Sequence, residues 1–101
     1  MTRVVFHPLA ERELIESARF YEARSGGLGG DFIRRVERTL AQIVLHPEAG
    51  SFFSGTIRRR LVRRFPFAIL YQPGPEDLWV IAVMHLHRRP GYWKDRLREK
   101  S

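Results

Sequence analysis

Leu78-Trp79-Val80-Ile81-Ala82-Val83-Met84 is an unbroken apolar run, bounded upstream by Pro73-Gly74-Pro75-Glu76-Asp77 and downstream by His85-Leu86-His87-Arg88-Arg89-Pro90. The run is too short to stand as a buried helix, and it is rich in the β-branched and aromatic residues that pleated sheets favour. On a strand alternate side chains point to opposite faces, so both alternating sets here are apolar and both faces must be covered. The spacing therefore predicts a central strand over Leu78 to His87. This strand decides the fold, because everything else in the chain has to pack beside it or over it.

Working back from it, Phe67 to Gln72 reads as a hairpin neighbour joined through the Pro73 to Asp77 turn, and Ile57 to Val62 as the strand before that, with Phe65-Pro66 interrupting. Glu48 to Thr56 has no period and contains Gly50, Ser51, Ser54 and Gly55, so it reads as a loop. Further upstream, Leu28, Phe32, Val36, Leu40 and Ile43 recur at helical spacing and stop before His46-Pro47. An earlier amphipathic face runs through Ala10, Leu14, Ala18 and Tyr21, opened by Pro8 and closed by Ser25-Gly26-Gly27. The carboxylates of this first helix read mostly as a solvated face. Arg3 to His7 is a short β-prone run.

The order is strand, helix, helix, strand, strand, strand, then a basic tail from Arg89 to Ser101 with room for a short helix. This is an α+β chain of β-α-α-β-β-β type, with an αα-hairpin packed on a small, mainly antiparallel sheet. One helical hairpin covers one face. The other face needs a loop, the C-terminal segment or a partner protein.

At 101 residues the chain is expected to form one domain, residues 1–101. With 44% apolar and 29% charged residues it belongs with globular proteins rather than disordered or membrane chains. No stretch approaches the roughly 18 apolar residues of a membrane span, and the opening residues lack a signal-peptide pattern, so a cytoplasmic protein without membrane contact is expected. The absence of cysteine removes disulfides, thiolate metal sites and cysteine nucleophiles.

The net charge of +7 is unevenly placed. Residues 1–50 carry seven arginines and seven acids, whereas residues 51–101 carry eleven basic residues against Glu76, Asp77, Asp95 and Glu99. Sixteen of the eighteen basic residues are arginine, whose planar fork of donors suits carboxylates and phosphates and so points to an acidic or polyanionic partner. The densest block is Arg58-Arg59-Arg60-Leu61-Val62-Arg63-Arg64. It is either a charged edge strand that discourages sheet-to-sheet pairing or a binding platform, with Arg58 and Arg60 on one face and Arg59 on the other.

The second candidate is His85-Leu86-His87-Arg88-Arg89-Pro90-Gly91-Tyr92-Trp93. His85 and His87 share a face, but without cysteine and with His7 and His46 remote, no metal site is expected. His85 and Tyr92 beside arginines could move protons in phosphodiester cleavage while guanidinium groups stabilise the phosphate. The competing reading makes His85 a packed strand-end residue and Tyr92 and Trp93 aromatic anchors of the tail. No nucleophile elbow, phosphate-binding loop or paired-carboxylate arrangement is present, and no cofactor is implied.

Over roughly residues 3–96 the sequence resembles a RelE/ParE superfamily toxin, and within it a ParE-like toxin of the plasmid-stabilisation type. The resemblance is carried by the opening strand into His7-Pro8 with Ala10 and Leu14, by Phe20-Tyr21-Glu22, and by Gly27-Leu28-Gly29 with Phe32 and Val36. It continues in Ile43 and Pro47, in Gly55 and Arg59, in Phe65-Pro66-Phe67-Ala68-Ile69-Leu70-Tyr71, and in Val83, His85, Arg88, Pro90 and Trp93. It implies the toxin of a type II toxin-antitoxin module, neutralised by a cognate acidic antitoxin laid over its helices and sheet, with Leu14, Tyr21, Phe32 and Trp79 as antitoxin contacts. It implies one of two targets. ParE-like members inhibit DNA gyrase, and here Arg58, Arg59, Arg60, Arg63, Arg64, Arg88, Arg89 and Trp93 would meet the target. RelE-like members cut messenger RNA on the ribosome, and here Arg59, Arg60, His85, Arg88 and Tyr92 would form the site. A binding module that has lost toxicity is the remaining alternative.

Overall fold

A computed structural model describes residues 2–99. The chain runs β1 (Arg3–Phe6), α1 (Pro8–Arg24), α2 (Leu28–Leu45), β2 (Ser51–Ser54), β3 (Ile57–Val62), β4 (Phe67–Pro73), β5 (Asp77–His85) and a final 3-10 helix (Lys94–Glu99). The five strands form one sheet in the order β1-β5-β4-β3-β2. β1 is parallel to β5, and all other pairings are antiparallel. The expected α+β order is thus present, with one strand added. Ser51–Ser54 was expected as loop and instead pairs with β3, an exposed edge strand whose burial shows no alternation for a sequence reading to detect. The expected tail helix is the Lys94–Glu99 turn, and Lys100 and Ser101 lie outside the described residues.

β5 is central, flanked by β1 and β4, and Leu78, Val80, Ile81, Ala82, Val83 and Met84 are all buried. The two faces are shared out through a bulge. Leu70 pairs with Ala82 and Tyr71 with Val80, so Ile81 is the extra residue of β5 and the alternation shifts phase there. On one face Leu78, Val80 and Val83 join Phe67, Ile69 and Tyr71 under the helices. On the other, Ile81, Ala82 and Met84 join Ile57, Ala68 and Leu70 beneath Trp93. The tail supplies the cover that the second face requires.

The helical hairpin is closed by a carboxylate and a glycine. Gly27 stands at the start of α2 with φ of 89° and offers no side-chain cap. Glu22 of α1 replaces it, accepting from the Gly27 N–H at 2.9 Å through Oε2 and from the Gly29 N–H at 3.0 Å through Oε1. A negative group at the positive end of a helix, satisfying two of its orphan donors, fixes where α2 begins. At Gly29 the helices touch: a Cβ there would lie 2.5 Å from the Ala18 carbonyl oxygen, so no side chain fits.

Candidate functional site

The arginine block does not act as one surface. On β3, Arg58 reaches back to the carbonyls of Glu48 and Gly50 at 2.9 and 2.8 Å and stacks 3.9 Å over Phe52, clamping the segment that leads into β2. Arg60 donates to Gln42 of α2 at 3.3 Å on the helical side. Arg59 takes the opposite side, 5.2 Å over Phe53, whose ring lies 6.1 Å from Trp93. Arg63 and Arg64, in the β3–β4 turn, are exposed and face other arginines instead.

The second candidate group is built around a residue that sequence reasoning placed on a solvated face. Beyond Val80 no residue of β1 pairs with β5, which leaves backbone groups of Ile81 and Val83 without a strand partner on that side. Glu13 of α1 and Arg96 of the tail fill the gap. Glu13 Oε1 accepts from the Val83 N–H at 3.0 Å, and Arg96 Nη1 donates to the Ile81 carbonyl at 3.0 Å. The two side chains meet as a bidentate pair with both contacts at 2.9 Å, and they are 14% and 8% exposed. Tyr92 donates its hydroxyl to Glu13 Oε2 at 2.7 Å, and Arg88 lies 3.8 Å over the Tyr92 ring and 4.0 Å from the same carboxylate. An ion pair thus substitutes for the missing strand and pins the tail to α1. The available signal was position: Glu13 lies three residues after Ala10 and four before Ser17, at the margin of the apolar stripe rather than opposite it.

This arrangement constrains protonation. Burial, reinforced by the hydrogen bond and charge of Glu13, pushes the Tyr92 phenol well above its ordinary range despite the nearby arginines. Burial opposes the charge of Arg96, but Glu13 outweighs it, and its proton is held more tightly than usual. Tyr21 and Tyr71 are also raised, chiefly by burial. A phenol whose folded pKa is raised stabilises the fold fully below the unfolded value of about 10, and that stability is lost as pH rises past it, because the unfolded chain ionises first. Stability should therefore decline above about pH 10, and Tyr92→Phe should flatten that decline relative to the native chain. Denaturation series across the alkaline range check this; equal slopes for the two proteins would contradict the Tyr92 assignment.

His85 sits at the end of β5, its ring 5.1 Å from Phe67 and its Nδ1 accepting from the His87 N–H at 3.1 Å. With Glu13, Arg88 and Phe67 it lines a concavity of about 350 Å³. Arg89 is exposed. Two expected contact residues are corrected. Phe32 is 0% exposed, locked among Tyr21, Phe65 and Phe67, and Trp93 is 2% exposed against the second core, so neither side chain is presented to a partner. Leu14, Tyr21 and Trp79 remain half-buried. Among the described residues no group of three or more His, Asp or Glu could hold a metal ion, and no helix is long and apolar enough to cross a membrane.

An αα-hairpin on a mixed sheet, with β1 parallel to the central strand and an antiparallel meander beyond it, is the architecture of the RelE/ParE class of toxins. A family model described as the ParE toxin of the type II toxin-antitoxin system parDE matches residues 4–90, and the chain belongs to this family. Among solved structures, a chain of the chromosomal ParDE TA system from P. aeruginosa superposes with a TM-score of 0.64 at 15% identity, covering 84% of this chain and 96% of that one. At that identity the likeness concerns the fold. A search of curated proteins gave no significant match.

Proposed function

We propose that the chain is a cytoplasmic toxin that binds and inhibits DNA gyrase and is neutralised by a cognate acidic antitoxin. Membership of the ParE family carries this reading. Support for inhibition over RNA cleavage comes from the placement of the nuclease candidates. Cleavage needs an acid, a base and a guanidinium within hydrogen-bond reach of one phosphate. Arg59 lies on the open face at Phe53 and Arg60 on the helical face at Gln42, while the Tyr92 hydroxyl is donated to Glu13 and held protonated.

One observation favours the second reading, ribosome-dependent cleavage: His85 and Arg88 line the same concavity. Purified protein added to gyrase and relaxed plasmid should abolish supercoiling in a dose-dependent way, and in cells DNA synthesis should fail before protein synthesis. Undiminished supercoiling at saturating protein overturns the proposal. Early failure of protein synthesis with cut transcripts, abolished by His85→Ala, would install the nuclease reading in its place.

A further inference from the structure

Four arginines, all but Arg34 without a side-chain hydrogen bond or ion pair to a described residue, gather on the helical side of the sheet around a concavity of about 520 Å³ between α2 and the β3–β4 turn. α2 lines it with Arg34, Arg35 and Arg38, and the turn adds Arg64. The acid in its lining is Asp31, and that carboxylate is already engaged by Arg34. Arg35, Arg38, Arg63 and Arg64 form no ion pair with any described residue.

Two features set this gathering apart: its like charges face one another, and the turn that carries Arg64 has a left-handed backbone. The Arg35 guanidinium is held below its ordinary range, first by desolvation and then by Arg64, Arg38 and Arg63, and Asp31 only partly offsets them. Arg64 also has a φ of 73°, a left-handed conformation that glycine or asparagine adopts far more readily, and among the described residues it is the non-glycine with positive φ. Repelling charges on a strained turn are what a site awaiting an anion would hold in place.

The floor separates the kinds of anion. Tyr21, Leu28, Phe65 and Pro66 give the concavity an apolar part beside its charged rim. A nucleic-acid duplex brings evenly spaced phosphates with its base faces stacked inside, whereas an acidic peptide brings carboxylates next to apolar side chains. We propose that this concavity docks an acidic segment of the antitoxin, with carboxylates on Arg35, Arg38 and Arg64 and an apolar side chain seated on Tyr21 and Phe65. The inference rests on the antitoxin reading above and adds the place of contact.

The test is titration of the purified toxin with its purified antitoxin at several salt concentrations. The variants are Arg35→Gln, Arg38→Gln, Arg64→Gln and their combination, with Arg19→Gln on exposed α1 as control. Each site variant should weaken binding about tenfold, the combination more than a hundredfold with a shallower salt dependence, and the control should match the native chain. The free variants should melt at a higher temperature than the native chain, because they shed repulsion; a residue with a merely structural role would move the melting temperature the other way. Native affinity in all site variants overturns the proposal while leaving the antitoxin reading intact. No complex with the native chain overturns both. Native antitoxin affinity combined with lost affinity for duplex DNA would reassign the site to nucleic acid.

Discussion

Replacing Glu13 by alanine should destabilise the protein by about 3–5 kcal/mol, the range for removing one partner of a buried ion pair and stranding the other. The single change does three things. It leaves Arg96, 8% exposed, without a counter-charge, it takes the acceptor from the Val83 N–H, and it frees the Tyr92 hydroxyl. Glu13→Gln keeps an acceptor oxygen and should fall between alanine and the native chain. The pair differs from buried ion pairs that apolar residues replace without loss. Glu13 and Arg96 also satisfy backbone groups of β5, so Glu13→Met combined with Arg96→Met strands the Val83 N–H and the Ile81 carbonyl. That combination should remain clearly less stable than the native chain. Denaturant unfolding followed by circular dichroism, with limited proteolysis after Arg88 as a reporter of the tail, measures both effects. A Glu13→Ala protein within about 1 kcal/mol of native, its tail still protected, would show that the ion pair is a surface contact of little weight.

Why Glu13 escaped sequence reading while the fold did not is a matter of range. The central strand declares itself because its signal, apolar on both alternations, is written in consecutive residues Leu78 to Met84. The helices declare themselves by period and by local punctuation at Pro8, Gly27 and Pro47. β2 does not, because Ser51–Ser54 is an edge whose side chains are mostly exposed, and what holds it is the open side of β3 rather than anything in its own residues. Glu13 looks like Glu11 and Glu16, its neighbours on a charged helix, until the chain end brings Arg96 to it from 83 residues away. The arginine block is legible only in part. Alternation puts Arg58 and Arg60 on one face of β3 and Arg59 on the other, as the structure has them, but it gives neither their structural partners nor the turn that leaves Arg63 and Arg64 to face α2.

Trp93→Ala should cost about 3–5 kcal/mol, the range for truncating a buried aromatic side chain. The indole is 2% exposed and covers Ile57, Leu70, Ile81 and Met84 on the face that the helices do not reach. Its loss should therefore uncover a contiguous apolar patch and add concentration-dependent self-association to the drop in stability. Trp93→Phe separates packing from polarity. The Trp93 Nε1 is buried with no hydrogen-bond partner among the described residues, an unmet donor whose burial costs about 1–3 kcal/mol. Phenylalanine gives up part of the contact area but removes that unmet donor, so the two effects offset and the variant should lie within about 1 kcal/mol of native. A phenylalanine variant as unstable as the alanine one would mean that the indole N–H has a partner. Glu13 and Trp93 hold the same segment from two sides, one at the edge of β5 and one on its face. Once either is lost and the tail detaches, the other has little left to hold. Glu13→Ala and Trp93→Ala together should then cost clearly less than the sum of the two single losses, and simple additivity would mean that the tail stays docked on one anchor alone.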